Sequence, residues 1–313
     1  MTTRQQAPGR ADREGLSLKA LFRMFPDDAT AELWFEQQMW PEGPVCPDCK
    51  SQRYSVVGGK HKMPYHCKDC RNYFSVRKGS LMHDTKLGYQ TWAIAVYQVA
   101  TSLKGVSAMR LHRDLEITYK SAWHLLHRIR AAFDSDDNPF DGPVEIDETY
   151  VGGRERNKHQ SKRLHQGGGT YGKTPVVAAK DRKSGKVTAK VVRNADKATL
   201  HGFVHDHVAP GAQLYTDEAP AYRGVRMHHE AVKHSAGEYV RGQAHVQGVE
   251  SLWSLLKRGY VGTYHQMSVK HLHRYVSEFA GRHNIRDLGT EDQMGEIARG
   301  MMGKRLRYSD LTA

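Results

Sequence analysis

The stretch "PVEIDETYVGG" (143–153) crowds three carboxylates, Glu145, Asp147 and Glu148, into four consecutive positions. Val144 and Ile146 alternate with Glu145 and Asp147, the two-residue period of a β-strand, so both of these acids lie on one face. Like charges at that spacing repel, and burying them is costly unless a cation compensates. The rest of the chain has the opposite character. Over 313 residues, Lys and Arg outnumber Asp and Glu by 13.

Downstream of this strand the pattern continues as α/β. "TPVVAAKD" (174–181) and "KVTAKVVR" (186–193) read as strands joined by a turn at "RKSG". A helix is expected over 196–208, then strands at "AQLYTDE" (212–218) and "HHEAVKH" (228–234). In "VQGVESLWSLLKRGY" (246–260), Val249, Leu252, Trp253 and Leu256 make the apolar stripe of an amphipathic helix. Asp147 falls on the first strand, Asp217 at the end of a short one, and Glu250 in the helix's first turn, beside the apolar stripe, where it can face inward. Carboxylates so placed can converge, and their hard oxygens suit Mg²⁺. Two such ions about 4 Å apart serve phosphoryl transfer. Taken singly, each acid reads first as a surface or capping residue, and spacing alone does not overturn that.

Upstream lie the four cysteines, in "CPDC" (46–49) and "CKDC" (67–70), with seventeen residues between the pairs. Two C-x2-C turns at this spacing complete a closed tetrahedral Zn²⁺ site, one that folds a module and leaves no open position for catalysis. Tyr54, Tyr65, Tyr73 and Phe74 are available to pack around it, while His61 and His66 read as ordinary loop histidines. Helices are expected within 16–39, broken near Pro26, and over 88–102, 107–116 and 119–133. Only "IT" separates the last two, as in a helix-turn-helix, although a plain αα-hairpin shows the same periodicity. Leu111, Leu115, Ile117, Leu126 and Ile129 would form its core, with Lys120, His124, His127, Arg128 and Arg130 facing outward and Lys120, Arg128 and Arg130 as DNA contacts. Residues 50–133 carry fifteen basic and four acidic side chains, a balance suited to a polyanion such as nucleic acid.

The organisation expected is thus a helical arm (1–40), a zinc ribbon (41–80), a helix-turn-helix-like DNA-binding region (81–135), an α/β domain (141–285) and a C-terminal tail (286–313). "DSDDNPFDGP" (134–143) reads as a linker. The basic, Gly-rich 153–173 reads either as a DNA-contacting loop or as an insertion. The longest apolar stretch (89–103) is too short and too polar to span a bilayer, and the first fifteen residues lack the apolar core of a signal peptide. A cytoplasmic protein, nucleoid-associated when bound to DNA and with no membrane partner, is expected.

"VEIDETYVGGRERNKH", "YTDEAPAY" and "VESLWSLLKRGYVGTYHQMSVKHLHRYVSEFAGRHN" together resemble the DDE transposases of bacterial insertion sequences, most closely the ISXO-like group with an N-terminal zinc ribbon. The resemblance spans roughly residues 30–285. It implies a ribonuclease-H-like catalytic domain in which Asp147, Asp217 and Glu250 are the catalytic triad and hold Mg²⁺ or Mn²⁺. The 32 residues between Asp217 and Glu250 suit that family's interval. It further implies cleavage at the element's ends, joining of the freed 3′-hydroxyl to target DNA, and a homo-oligomer on DNA. No small-molecule cofactor is implied. Lys257 and Arg258 would hold phosphates, His245 would assist, and Glu145 and Glu148 would be supporting neighbours. "HVQGVE" (245–250) departs from the family's usual polar run at Val246 and Gly248. A non-catalytic DNA-binding regulator, or a nuclease that cuts without joining, remains compatible with the same residues.

Overall fold

The computed structural model describes residues 14–58, 62–134, 139–153, 157–163, 169–232 and 247–313. These fall into two compact units, one formed by the N-terminal part together with residues 285–313, the other by 136–284.

In the first unit, Pro26 separates α1 (Leu18–Met24) from α2 (Asp28–Met39). Ser17 and Asp27 cap them by accepting from the Ala20 and Thr30 amides. Three short antiparallel strands follow, β1 (Tyr54–Val56), β2 (Tyr65–Cys67) and β3 (Tyr73–Phe74). Their aromatic side chains meet Trp40 edge-on, at 5.8 Å from Tyr65 and 5.9 Å from Phe74. Of the four aromatics expected to pack here, Phe74 is buried, Tyr54 and Tyr65 are half-buried, and Tyr73 is exposed. Then come α3 (Tyr89–Thr101), α4 (Ala108–Asp114) and α5 (Tyr119–Ala132), the last two capped by Ser107 and Thr118.

In the second unit the sheet order is β6-β5-β4-β7-β8, built from β4 (Val144–Val151), β5 (Thr174–Asp181), β6 (Val187–Val191), β7 (Gln213–Asp217) and β8 (His228–Val232). β4, β5 and β6 form an antiparallel meander, whereas β7 runs parallel to both β4 and β8. β5 is apolar on both faces because both are covered. On one face Val177 and Ala179 pack with Leu200 and Val204 of α6 (Lys197–His207). On the other, Val176 and Ala178 pack with α7 (Gln247–Gly259) and α8 (Leu272–Asn284) through Val249, Leu252, Trp253, Leu256, Val276 and Phe279. Between these two helices the chain makes a π turn over Tyr260–Tyr264.

The stretch read from sequence as a tail, 286–313, contains α9 (Thr290–Arg299) and α10 (Tyr308–Thr312). Met294, Ile297, Ala298 and Met301 join the core of the first unit beside Leu21, Phe35, Trp92 and Leu126. Among the described residues, no helix is long and apolar enough to cross a membrane.

Candidate zinc centre and carboxylate groove

The cysteine pairs sit on two similar turns. Lys50 follows Cys49 at φ 62° and Arg71 follows Cys70 at φ 59°, so each turn closes through a left-handed residue. Amide bonds from Cys46 to the Ser51 carbonyl and from Cys67 to the Asn72 carbonyl complete the pair. All four sulfur atoms lie within 4.8 Å of one another, Cys46 and Cys70 at 3.6 Å, Cys49 and Cys67 at 3.5 Å. Four sulfurs about 2.3 Å from a tetrahedral Zn²⁺ would stand about 3.8 Å apart, so the set fits this ion closely. The Cys70 amide, followed by that of Asp69, holds the Cys67 thiol down to about 7, toward the thiolate a metal requires. His66 stacks on Tyr73 at 4.8 Å, and His61 lies outside the described residues.

In the α/β unit, the parallel pairing of β4 with β7 matches Val144 to Leu214 and Glu145 to Tyr215. Carried forward two residues, the same register brings Asp147 beside Asp217 on one face of the sheet. Burial, then the charges of Asp217 and Glu148, push the Asp147 carboxyl up to about 7. This is the repulsion that the sequence anticipates, and Asp217 is one of its sources. The indole N–H of Trp253 donates to Asp147 Oδ2 at 2.9 Å.

The other two acids of the opening stretch have different surroundings. Glu145 is buried, receives Arg182 Nε at 2.7 Å and accepts the Val249 amide at 3.2 Å, so it anchors the start of α7. Gly248 permits that approach, since a Cβ there would fall 2.6 Å from Glu145 Oε2 and 2.8 Å from Lys180 Nζ. Glu148 accepts the Tyr222 hydroxyl at 2.8 Å. Burial, and less strongly Asp217, holds its carboxyl above the usual range despite that bond.

Glu250 lines the same groove as Asp147, a space of about 700 Å³ that also takes in Glu148, Trp253, Ser254, Lys257 and Arg258. The expectation that it faces inward is corrected. Glu250 is exposed, because Val249, Leu252 and Trp253 occupy the face of α7 turned to the sheet. Among the described residues only the cysteines form a ligand cluster within 4.8 Å, so Asp147, Asp217 and Glu250 do not close to that spacing. His245 lies outside the described residues.

A second correction concerns α5. Lys120 is exposed, its ammonium 4.2 Å from the Tyr308 ring centre, but His127, Arg128 and Arg130 are buried and do not face outward. The reason is the returning C-terminal segment, whose Leu306 carbonyl accepts from Arg128 Nε at 3.1 Å. Sequence reasoning also missed Trp253, Tyr222 and Arg182 as partners of the acids. Trp253 carried a signal, since a buried indole N–H requires an acceptor; Tyr222 and Arg182 carried none.

Comparison with known proteins accords with these observations. Residues 139–284 match the family model described as an ISXO2-like transposase domain, and 26–73 match a transposase zinc-ribbon domain. An uncharacterized protein in transposable element ISH50 of Halobacterium salinarum is 28% identical over 279 residues, covering 84% of this chain and 93% of the relative. Among solved structures, a chain of the simian T-cell lymphotropic virus intasome in complex with a PP2A regulatory subunit aligns with a TM-score of 0.29 and 14% identity. That alignment covers 60% of this chain and 65%, less than two thirds, of the other. With both of its modules matched in this order, the chain belongs to the insertion-sequence transposase family that joins a zinc ribbon to an ISXO2-like transposase domain.

Proposed function

We propose that the protein binds the ends of its insertion element and catalyses metal-dependent DNA strand cleavage and strand transfer into target DNA. The observation that supports this reading is the register of β4 against β7, Glu145 opposite Tyr215, which carried forward two residues sets Asp147 beside Asp217, together with the groove that Asp147 and Glu250 both line. The meander followed by two parallel strands, with helices on both faces, supports a ribonuclease-H-like fold for this unit. Asp147, Asp217 and Glu250 would hold Mg²⁺ or Mn²⁺. A desolvated carboxylate beside a second one, its proton affinity raised by that neighbour, suits a divalent cation. When bound, such ions supply an activated nucleophile and stabilise the leaving oxygen.

The chain's own residues orient these ligands and the DNA. The Trp253 N–H fixes one oxygen of Asp147, and the Tyr222 hydroxyl fixes Glu148. Lys257 and Arg258, exposed on the groove's rim, would receive phosphates. The zinc ribbon and α4–α5, read as helix-turn-helix-like with exposed Lys120 as a contact, would recognise the element ends. Joining two ends requires at least two active sites, so a homo-oligomer on DNA follows, acting in the cytoplasm at the nucleoid.

The test uses the full-length protein, DNA flanking its gene, a target plasmid and Mg²⁺ or Mn²⁺. Joined product that is lost in Asp217→Asn is expected. Tight binding without metal-dependent cutting by the wild type would establish a regulator instead. Cutting that never yields joined product would establish a nuclease.

A further inference from the structure

Next to the carboxylate groove, and sharing Lys257 and Val261 with it, lies a second cavity of about 680 Å³, within the range of ligand-binding sites. Its wall is made by the end of β4 and the end of α7, with Tyr150, Lys173, Lys257, Tyr260 and His265 among the lining residues. Three features show a built site. The end of α7 widens into the π turn beginning at Tyr260, an insertion that helices keep mainly at functional positions. His265 closes that turn at φ 57° and ψ −34°, a positive-φ conformation outside the left-handed helical region that is sparsely populated by any residue bearing a Cβ. Gly152 lets the Lys173 backbone come close, because a Cβ there would lie 3.1 Å from Lys173 Cα.

Two tyrosines and two lysines in one cavity lining match the chemistry of an unpaired nucleotide, whose base stacks on an aromatic ring while its phosphates meet cations. We propose that this cavity is a subsite for one extrahelical nucleotide of the DNA strand crossing the carboxylate groove. Tyr150 and Tyr260 supply the stacking surface, and Lys173 and Lys257 receive the flanking phosphates. The continuous boundary at Lys257 and Val261 means that a strand lying over Asp147 reaches the cavity without leaving the surface of α7. This subsite rests on the proposed strand-transfer reading, yet its test requires no chemistry.

Full-length protein is titrated, with Ca²⁺ in place of Mg²⁺, against two fluorescent duplexes of the gene's flanking DNA. They are identical except for one unpaired bulged nucleotide. The wild type should bind the bulged duplex at least about fivefold more tightly, the low end of one stacked base. Tyr260→Ala should lose that preference while keeping its affinity for the paired duplex, and Lys173→Ala should lose the preference as well. Tyr260→Phe, which retains the ring, should keep the preference. Equal affinities in the wild type, or a preference that survives both alanine variants, would overturn the subsite. Lys173 stands on the loop side of the cavity, so its variant reports even where Tyr260→Ala lowers the melting temperature. If the wild type shows the preference but never cuts either duplex in Mg²⁺ or Mn²⁺, the strand-transfer reading fails and the nucleotide subsite stands.

Discussion

Trp253 donates its indole N–H to Asp147 Oδ2 at 2.9 Å, which ties a residue of the α7 core to a carboxylate on β4. The same ring is 4% exposed and packs with Val249, Leu252 and Leu256, so a single side chain docks the helix and orients a proposed ligand. Trp253→Phe keeps most of the packing and removes the donor. A fall of about tenfold in strand cleavage is expected, equivalent to about 1.4 kcal/mol and within the range for one intramolecular hydrogen bond. Unchanged cleavage rates on end DNA would show that Asp147 needs no such orientation.

Asp147 gives a pH dependence. Its carboxyl, ordinarily near 3.8, is pushed up to about 7 by burial and by Asp217 and Glu148. Between these values the folded protein holds a proton that the unfolded chain releases, so stability falls as pH rises across that window and levels off above it. Melting temperatures without added Mg²⁺ or Mn²⁺ should therefore decline from pH 5 toward pH 7.5. Asp147→Asn should flatten that decline. Added Mg²⁺ should raise the melting temperature more at pH 8 than at pH 5.5, because cation and proton compete for the same oxygens.

For the zinc site, Cys67→Ser removes one of four sulfurs within 4.8 Å of one another. Metal analysis should find about one zinc per wild-type chain and a large loss in the variant. Trp40 fluorescence should shift toward that of a solvated indole, because Tyr65 and Phe74 are held against it by the ribbon strands. Full zinc content in the variant would refute the site.

Arg128 and Lys120 lie on the same helix and should behave in opposite ways. Arg128→Ala removes the donor to the Leu306 carbonyl and should destabilise the fold by about 1.5–3 kcal/mol in urea titrations. Its affinity for paired DNA, measured well below the unfolding transition, should not change. Lys120→Ala should leave stability nearly unchanged, weaken DNA binding and lower the salt slope by about one. A reversed outcome would return Arg128 to the DNA surface.

The periodicity of the sequence was enough to locate the five strands, α6 and α7 of the α/β unit, but α8 was not read from it. "TPVVAAKD" became β5 residue for residue, and the helix expected over 246–260 became α7 at Gln247–Gly259. Asp147 and Asp217 could be placed on β4 and at the end of β7 because strand patterns are local features, whereas their selection as a pair rested on the family resemblance. The burial of Arg128 was not legible, since the segment whose carbonyl it binds arrives from beyond residue 285. Gly248 looked like a departure from a family pattern; its role emerges only from the approach of α7 to Glu145. Glu250 remained exposed because the apolar stripe beside it took the inward face.

The division of the first unit between the two ends of the chain has a consequence for synthesis. On the ribosome, the cysteine turns and the first five helices emerge early, yet their core stays open until Met294, Ile297 and Met301 have been translated. A polypeptide that stops short of α9 would lack the piece that closes this core, and Arg128 would have no Leu306 carbonyl to bind. Closure of this unit's core is thereby deferred until α9 has left the ribosome.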